Sequence, residues 1–178
     1  IRKAKRSAKL IEFKDVHKRF GDNRVLRGLT FTAADGRITG FVGPNGSGKS
    51  TALKILTGLV APDSGVSLCD GTRYCEAVDP STTMGSFLGV DFMPRGMTGP
   101  AYLNYVCDLR ALPRHSGRQY FEEVGLRGHE RTRIKGYSLG MRQRLALASA
   151  LVGDPTNLVL DEPVNGLDVE GVKWVRDM

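Results

Sequence analysis

Apolar and polar residues alternate along residues 10–16 (LIEFKDV), as on a strand with one buried face. A turn at Phe20-Gly21-Asp22-Asn23 leads to a second predicted strand, residues 25–33. Asp35-Gly36 is a tight-turn signal feeding a third, residues 37–42. Residues 53–59 read as helix, Pro62-Asp63-Ser64-Gly65 as a turn, residues 66–69 as a short strand, and Asp70-Gly71 as a hairpin-type turn. From about residue 80 to 135 the texture changes. Residues 86–90 suit a strand or sheet edge, residues 94–100 a Pro/Gly loop, and residues 101–112 and 116–124 two helices, the second with Ser116 as its N-cap. A strong helix follows over 141–152, with Leu145, Ala148 and Val152 on one face. The continuous apolar run Leu158-Val159-Leu160 then reads as a buried parallel strand. Val169, Val172, Trp174 and Val175 trace a last amphipathic helix with no stop signal before Met178. That open end, with Ile1 rather than Met at the start, reads as a chain cut at both ends.

Composition narrows the class only a little. At 178 residues, 40% hydrophobic and 25% charged, the chain is an ordinary globular sequence of about one domain. Cys69, Cys75 and Cys107 form no C-x-x-C pair and no metal-ligand pattern with His17, His115 or His129, which suits a reducing compartment and buried thiols. The longest apolar run, residues 145–152, is broken by Ser149 and falls short of the roughly 18 residues that span a bilayer. Charge is uneven. Residues 1–37 hold eleven Lys and Arg against four Asp and Glu, a surplus equal to the whole net charge of +7. Arg2, Lys3, Lys5, Arg6 and Lys9 make a basic tail over residues 1–9. A solvated tail is the expected reading, with an anionic membrane surface next; no aromatics interleave, so no nucleic-acid partner is expected.

The stretch GPNGSGKST carries the chemistry. It fits G-x-x-x-x-G-K-[ST], the phosphate-binding P-loop, and stands between the predicted strand over 37–42 and a predicted helix. Gly43, Pro44, Asn45, Gly46, Ser47, Gly48, Lys49, Ser50 and Thr51 are therefore the candidate nucleotide-binding residues. Glycines admit backbone conformations in which successive N–H groups turn toward one point, and the helix start and the Lys49 ammonium add positive charge. The Ser50 hydroxyl suits Mg²⁺. Phe20, at the tip between the first two strands, suits either an adenine stack or a core aromatic.

A second set lies far along the chain. Ser138-Leu139-Gly140 precedes the helix over 141–152, so Ser138 suits an anion site at the helix start or simply an N-cap. Asp161 and Glu162 close the apolar strand, at the end where open α/β sheets bind ligands. Asp161 suits Mg²⁺, and Glu162 suits a general base for an attacking water. Asn165-Gly166-Leu167-Asp168 turns into the last helix, which Asp168 also suits as N-cap.

In this order the residues resemble the ATP-binding subunit of an ABC transporter over nearly the whole chain. GPNGSGKS is similar to Walker A, LVLDE to Walker B with its catalytic glutamate, YSLGM to the signature, and NGLD to the D-loop. The SLGMRQR form resembles subunits of ABC-2 type exporters. The resemblance implies a P-loop NTPase with a RecA-like α/β core, an antiparallel β-subdomain and an inserted helical subdomain, C-terminally truncated. It divides the chain into the tail 1–9, the β-subdomain and first part of the core 10–79, the helical subdomain 80–135, and the remaining core 136–178. It implies ATP and Mg²⁺, catalytic roles for Lys49 and Glu162, and ATP contacts from Phe20, Ser138, Gly140 and Asp168. It implies partners as well: a second nucleotide-binding subunit, alike or different, and a separate membrane permease that would hold the chain at the inner face of the membrane.

Departures accompany the resemblance. Leu139 and Met141 replace the signature's first glycine and its glutamine, Gly89 stands where the Q-loop glutamine belongs, with Asp91 near, and the switch histidine falls beyond Met178. Two other readings stay open: a regulatory ATPase of the same family not engaged in transport, and a nucleotide-binding module with little turnover.

Overall fold

The structure, a computed structural model, describes residues 10–167 and 169–177. The basic tail and Asp168 lie outside them. Two compact units meet at the Pro80/Ser81 junction, and each is described by itself.

The first unit is built on the alternating stretch read from sequence. Strands β1 (Leu10–Phe20) and β2 (Asn23–Ala34) pair antiparallel across a two-residue turn, Phe20 opposite Asn23, and β3 (Ser64–Cys69) adds to the other edge of β1, giving the order β2-β1-β3. The turn after β3 has Asp70 at φ 55° and Gly71 at φ 79°. Two positive φ values in succession match the twist of paired strands, which is why an Asp-Gly dipeptide can turn the chain back so that Thr72 bridges Cys69. Helix α1 (Lys49–Leu56) packs Ala52, Ile55 and Leu56 into the core with Phe13, Val16 and Leu26. Buried Ser67 of β3 donates its hydroxyl to the Ile55 carbonyl.

The third predicted strand, residues 37–42, does not form. It belongs to neither sheet, and Ile38 and Val42 are 100% and 93% exposed. Only Phe41 is held, stacked 5.1 Å from Phe31, which in turn stacks on Phe13. An apolar run specifies that a segment should be buried, but a strand also requires a neighbouring ladder for its N–H and C=O groups, and the described residues of the first unit supply none.

The second unit holds the larger core. A short helix α2 (Pro80–Thr83) leads into β4 (Met84–Phe87), which pairs in parallel with β5 (Asn157–Leu160). Their crossover carries α3 (Gly99–Leu109), α4 (Arg114–Glu123) and α5 (Leu139–Leu151). Thr98 caps α3 by accepting the Ala101 N–H, and Pro100 occupies the first turn, where its missing N–H costs nothing. Helix α4 starts two residues before the predicted Ser116 cap. Pro113 is its N-cap, extended at φ −62° and ψ 134°, so Ser116 falls inside the first turn. Leu103, Cys107, Phe121, Leu145, Leu147 and Val152 are among the side chains that fill one core under β4 and β5. Helix α5 is buried on most sides, and the Arg110 guanidinium donates to the Val152 carbonyl at its C-terminal end, 2.6 Å away. The last element is α6 (Val169–Asp177). Among the described residues no helix is long and apolar enough to cross a membrane.

Candidate functional site

In the first unit the glycine loop is seated from below. Gly46 and Gly48 are left-handed at φ 82° and 93°. Gly48 is buried, and a Cβ there would sit 2.7 Å from Leu26 Cδ2 and 3.0 Å from the Val25 carbonyl oxygen. Glycine is thus required twice at one position, for the turn and for the close approach to β2. A second turn, the Ser47 N–H on the Pro44 carbonyl, shapes the tip around Asn45. Gly48 is also the N-cap of α1 and has no side chain to cap it, so no side-chain cap claims the first N–H groups of the helix. Lys49 Nζ folds back and donates to the carbonyls of Gly43 and Pro44 at 2.7 and 3.0 Å. An ammonium has three donors, and these two bonds close the loop around it. Ser50 is exposed and Thr51 half-buried at the same helix start.

Phe20 stands at the tip of the β1–β2 hairpin, 51% exposed, so it is not the core aromatic that its residue type also allowed. Lys18 Nζ lies 5.3 Å from the centre of its ring. Asp63 holds that lysine, accepting from Lys18 Nζ at 2.9 Å and from the Arg19 N–H at 2.7 Å. The Lys18 hydrogen bond keeps the Asp63 carboxyl below its ordinary pKa.

The second unit gathers the other set. The Asp161 N–H continues the ladder onto the Phe87 carbonyl, fixing where β5 ends, and the Asp161 carboxylate has no partner among the described residues. Glu162 turns the chain sharply at φ 49°, a left-handed conformation uncommon for a residue with a side chain. The Asn165 amide donates to the Glu162 carboxylate, and the Asn165 N–H to the Glu162 carbonyl at 3.2 Å. At the start of α5, Ser138 Oγ accepts the Met141 N–H at 3.2 Å, and the Arg142 guanidinium donates to the Tyr137 carbonyl at 2.7 Å. The Ser138 cap uses one lone pair and leaves the hydroxyl proton available, so capping and anion contact are compatible rather than alternative. Gly140 lies beneath the 162–167 turn, where a Cβ would be 3.2 Å from the Gly166 carbonyl oxygen.

The structure therefore brings Ser138, Gly140, Asp161 and Glu162 into one unit, and Gly43 through Thr51 with the Phe20 hairpin into the other. Gly89 is exposed at φ 113°, a conformation an L side chain rarely adopts. Two contributors escaped the sequence. Asn165 reads there only as a turn former, although it holds Glu162. Gln143 is buried at 5% exposure, and standing between Arg142 and Arg144 it gives no sign of that burial in the sequence.

A glycine loop closed by a lysine at a helix start, followed by a parallel strand ending in two carboxylates, defines a P-loop NTPase fold. The chain belongs to the ABC transporter family, whose profile matches residues 26–165. It is 35% identical over 169 residues to the bacitracin transport ATP-binding protein of Enterococcus faecalis, covering 94% of this chain and 55% of that one. A lantibiotic transport ATP-binding protein of Streptococcus pyogenes is 30% identical over 169 residues, covering 95% of this chain and 73% of that protein. Among solved structures, an ABC transporter ATP-binding protein from Pyrococcus furiosus superposes with a TM-score of 0.77 at 25% identity, covering 94% of this chain and 82% of that one. The chain spans about half the length of the first curated relatives it matches, 55% to 56%.

Proposed function

We propose that this chain binds and hydrolyses ATP to power an exporter, acting as the nucleotide-binding part of a subunit that pairs with a second such subunit and a separate membrane permease. The observation that carries the reading is the glycine loop. Lys49 sits on the Gly43 and Pro44 carbonyls beside an uncapped helix start, an arrangement of positive charge and free N–H groups made for a polyphosphate. Transport, rather than another use of ATP, is supported by relatives named for bacitracin and lantibiotic transport, and its outward direction by a relative named for Nod factor export.

Each residue then has a part. The loop N–H groups of Gly46 to Thr51 hold the phosphates, with Gly43, Pro44 and Asn45 shaping the loop. Lys49 exchanges a loop carbonyl for a phosphate oxygen. Phe20, exposed at the hairpin tip, offers a ring face to adenine. Glu162 orients the attacking water and takes its proton, a contribution of about 10² to 10⁴ in rate. Mg²⁺ fits the donors present: the Ser50 hydroxyl and the unpartnered Asp161 carboxylate are hard oxygen ligands. That ion would neutralise charge on the β- and γ-phosphate oxygens. In the dimer, the Ser138 hydroxyl and the Gly140 N–H face the γ-phosphate held by the partner subunit's Lys49, and Asp168 of the D-loop is a further candidate contact to ATP. ATP thus joins two subunits and its hydrolysis releases them. Attachment to the permease would place the subunit on the cytoplasmic face of the membrane.

Titrating the full-length subunit with ATP tests this. Lys49→Ala should weaken binding about 100-fold, the loss expected for a charged hydrogen-bonding group at a phosphate. Glu162→Gln should bind normally and accumulate as an ATP-bound dimer on size exclusion. Equal ATP affinity for wild type and Lys49→Ala would overturn the proposal.

A further inference from the structure

Gln143 stands out because its side chain is buried yet its Oε1 accepts no hydrogen bond. It lies on α5 one turn beyond Leu139 and Gly140, and that oxygen faces the 162–167 turn. A Cβ built on Gly166 would be 3.1 Å from Gln143 Oε1 and 2.7 Å from Leu139 Cδ2. Gly166 is left-handed at φ 77° as well, so the turn rests on the helix through a position where only glycine fits. The turn closes on itself through the Asn165 N–H to the Glu162 carbonyl and the Leu167 N–H to the Val164 carbonyl, both at 3.2 Å; neither bond uses the Gly166 N–H.

A buried carbonyl with no donor is costly, and a methionine or leucine would fill the same space without that cost. The cost biases the molecule toward any turn geometry that offers Oε1 a donor, and the turn whose Gly166 lies against it carries main-chain N–H groups. We propose that Gln143 is a positioning residue: its carbonyl takes up a main-chain N–H of the 162–167 turn in the hydrolysis-competent state. That bond locks Glu162, already held by Asn165, to the Ser138–Gly140 end of α5. The inference rests on the reading of Glu162 as the general base.

Gln143→Met in the full-length subunit keeps the length of the side chain and removes the carbonyl. It should unfold at the same temperature as wild type or higher, and bind ATP with KM within twofold, while kcat falls about tenfold. Hydrogen exchange of the segment 162–168 supplies a readout without turnover: ATP should protect it in wild type and not in Gln143→Met. A kcat within twofold of wild type, or a loss that merely follows lowered thermal stability, would overturn the proposal. If wild type itself fails to hydrolyse ATP, the general-base reading falls, and equal exchange in the two proteins would then reject the role of Gln143 independently.

Discussion

Two apolar runs of the same kind each lead into a candidate phosphate-site turn, and they fare differently. Residues 157–160 form β5, paired in parallel with β4 and with Val159 5% exposed. Residues 37–42 form no strand and leave Ile38 and Val42 exposed, with only Phe41 stacked on Phe31, and the loop they introduce is anchored at its far end, where Gly48 rests on Val25 and Leu26. Hydrophobicity alone does not separate the two. A strand exists when a neighbour completes its ladder, so the same pattern gives structure in one place and exposed chain in the other.

Loading the one anchor should have the largest effect. Gly48→Val combines a left-handed β-branched residue with a clash against β2, and should destabilise the first unit by about 2 to 5 kcal/mol, read by denaturant unfolding. A wild-type midpoint would mean that the loop is not seated there. The two runs can be set against each other directly. In this 178-residue chain, Val159→Thr buries a hydroxyl and should cost about 1 to 3 kcal/mol, while Val42→Thr should cost less than about 0.5. Equal losses would show that residues 37–42 are buried after all. Next in size, Ser138→Ala should cost about 1 kcal/mol through the lost cap on α5, detected as a lower melting temperature of the second unit.

The smallest effect is a pH dependence in the first unit. The folded pKa of Asp63 lies below its unfolded value because Lys18 hydrogen-bonds the carboxylate. Its stabilisation is therefore present above the unfolded pKa and fades as pH falls through the folded one. Asp63→Asn should lower the melting temperature slightly at neutral pH and leave it nearly unchanged below the folded pKa, which flattens the acid limb of the profile. An unaltered acid limb would assign that limb to other carboxylates, such as Asp108 beside Arg114 or Glu122 beside Arg127.

Local sequence settled whatever depends on neighbours in the chain: the existence of β1, though not its alternation, which breaks between Phe13 and Val16 where Asp15 turns left-handed, the Asp70-Gly71 turn, the Ser138 cap, and the glycines and lysine of the loop. Each of these follows from backbone sterics or from a side chain reaching a few residues along. Tertiary structure decided what depends on distant partners: that β5 has β4 beside it and residues 37–42 have no strand, that Phe20 is exposed, and that Gln143 is buried over Gly166. Pairing and burial are properties of two segments at once, and a pattern read along one of them cannot contain the other.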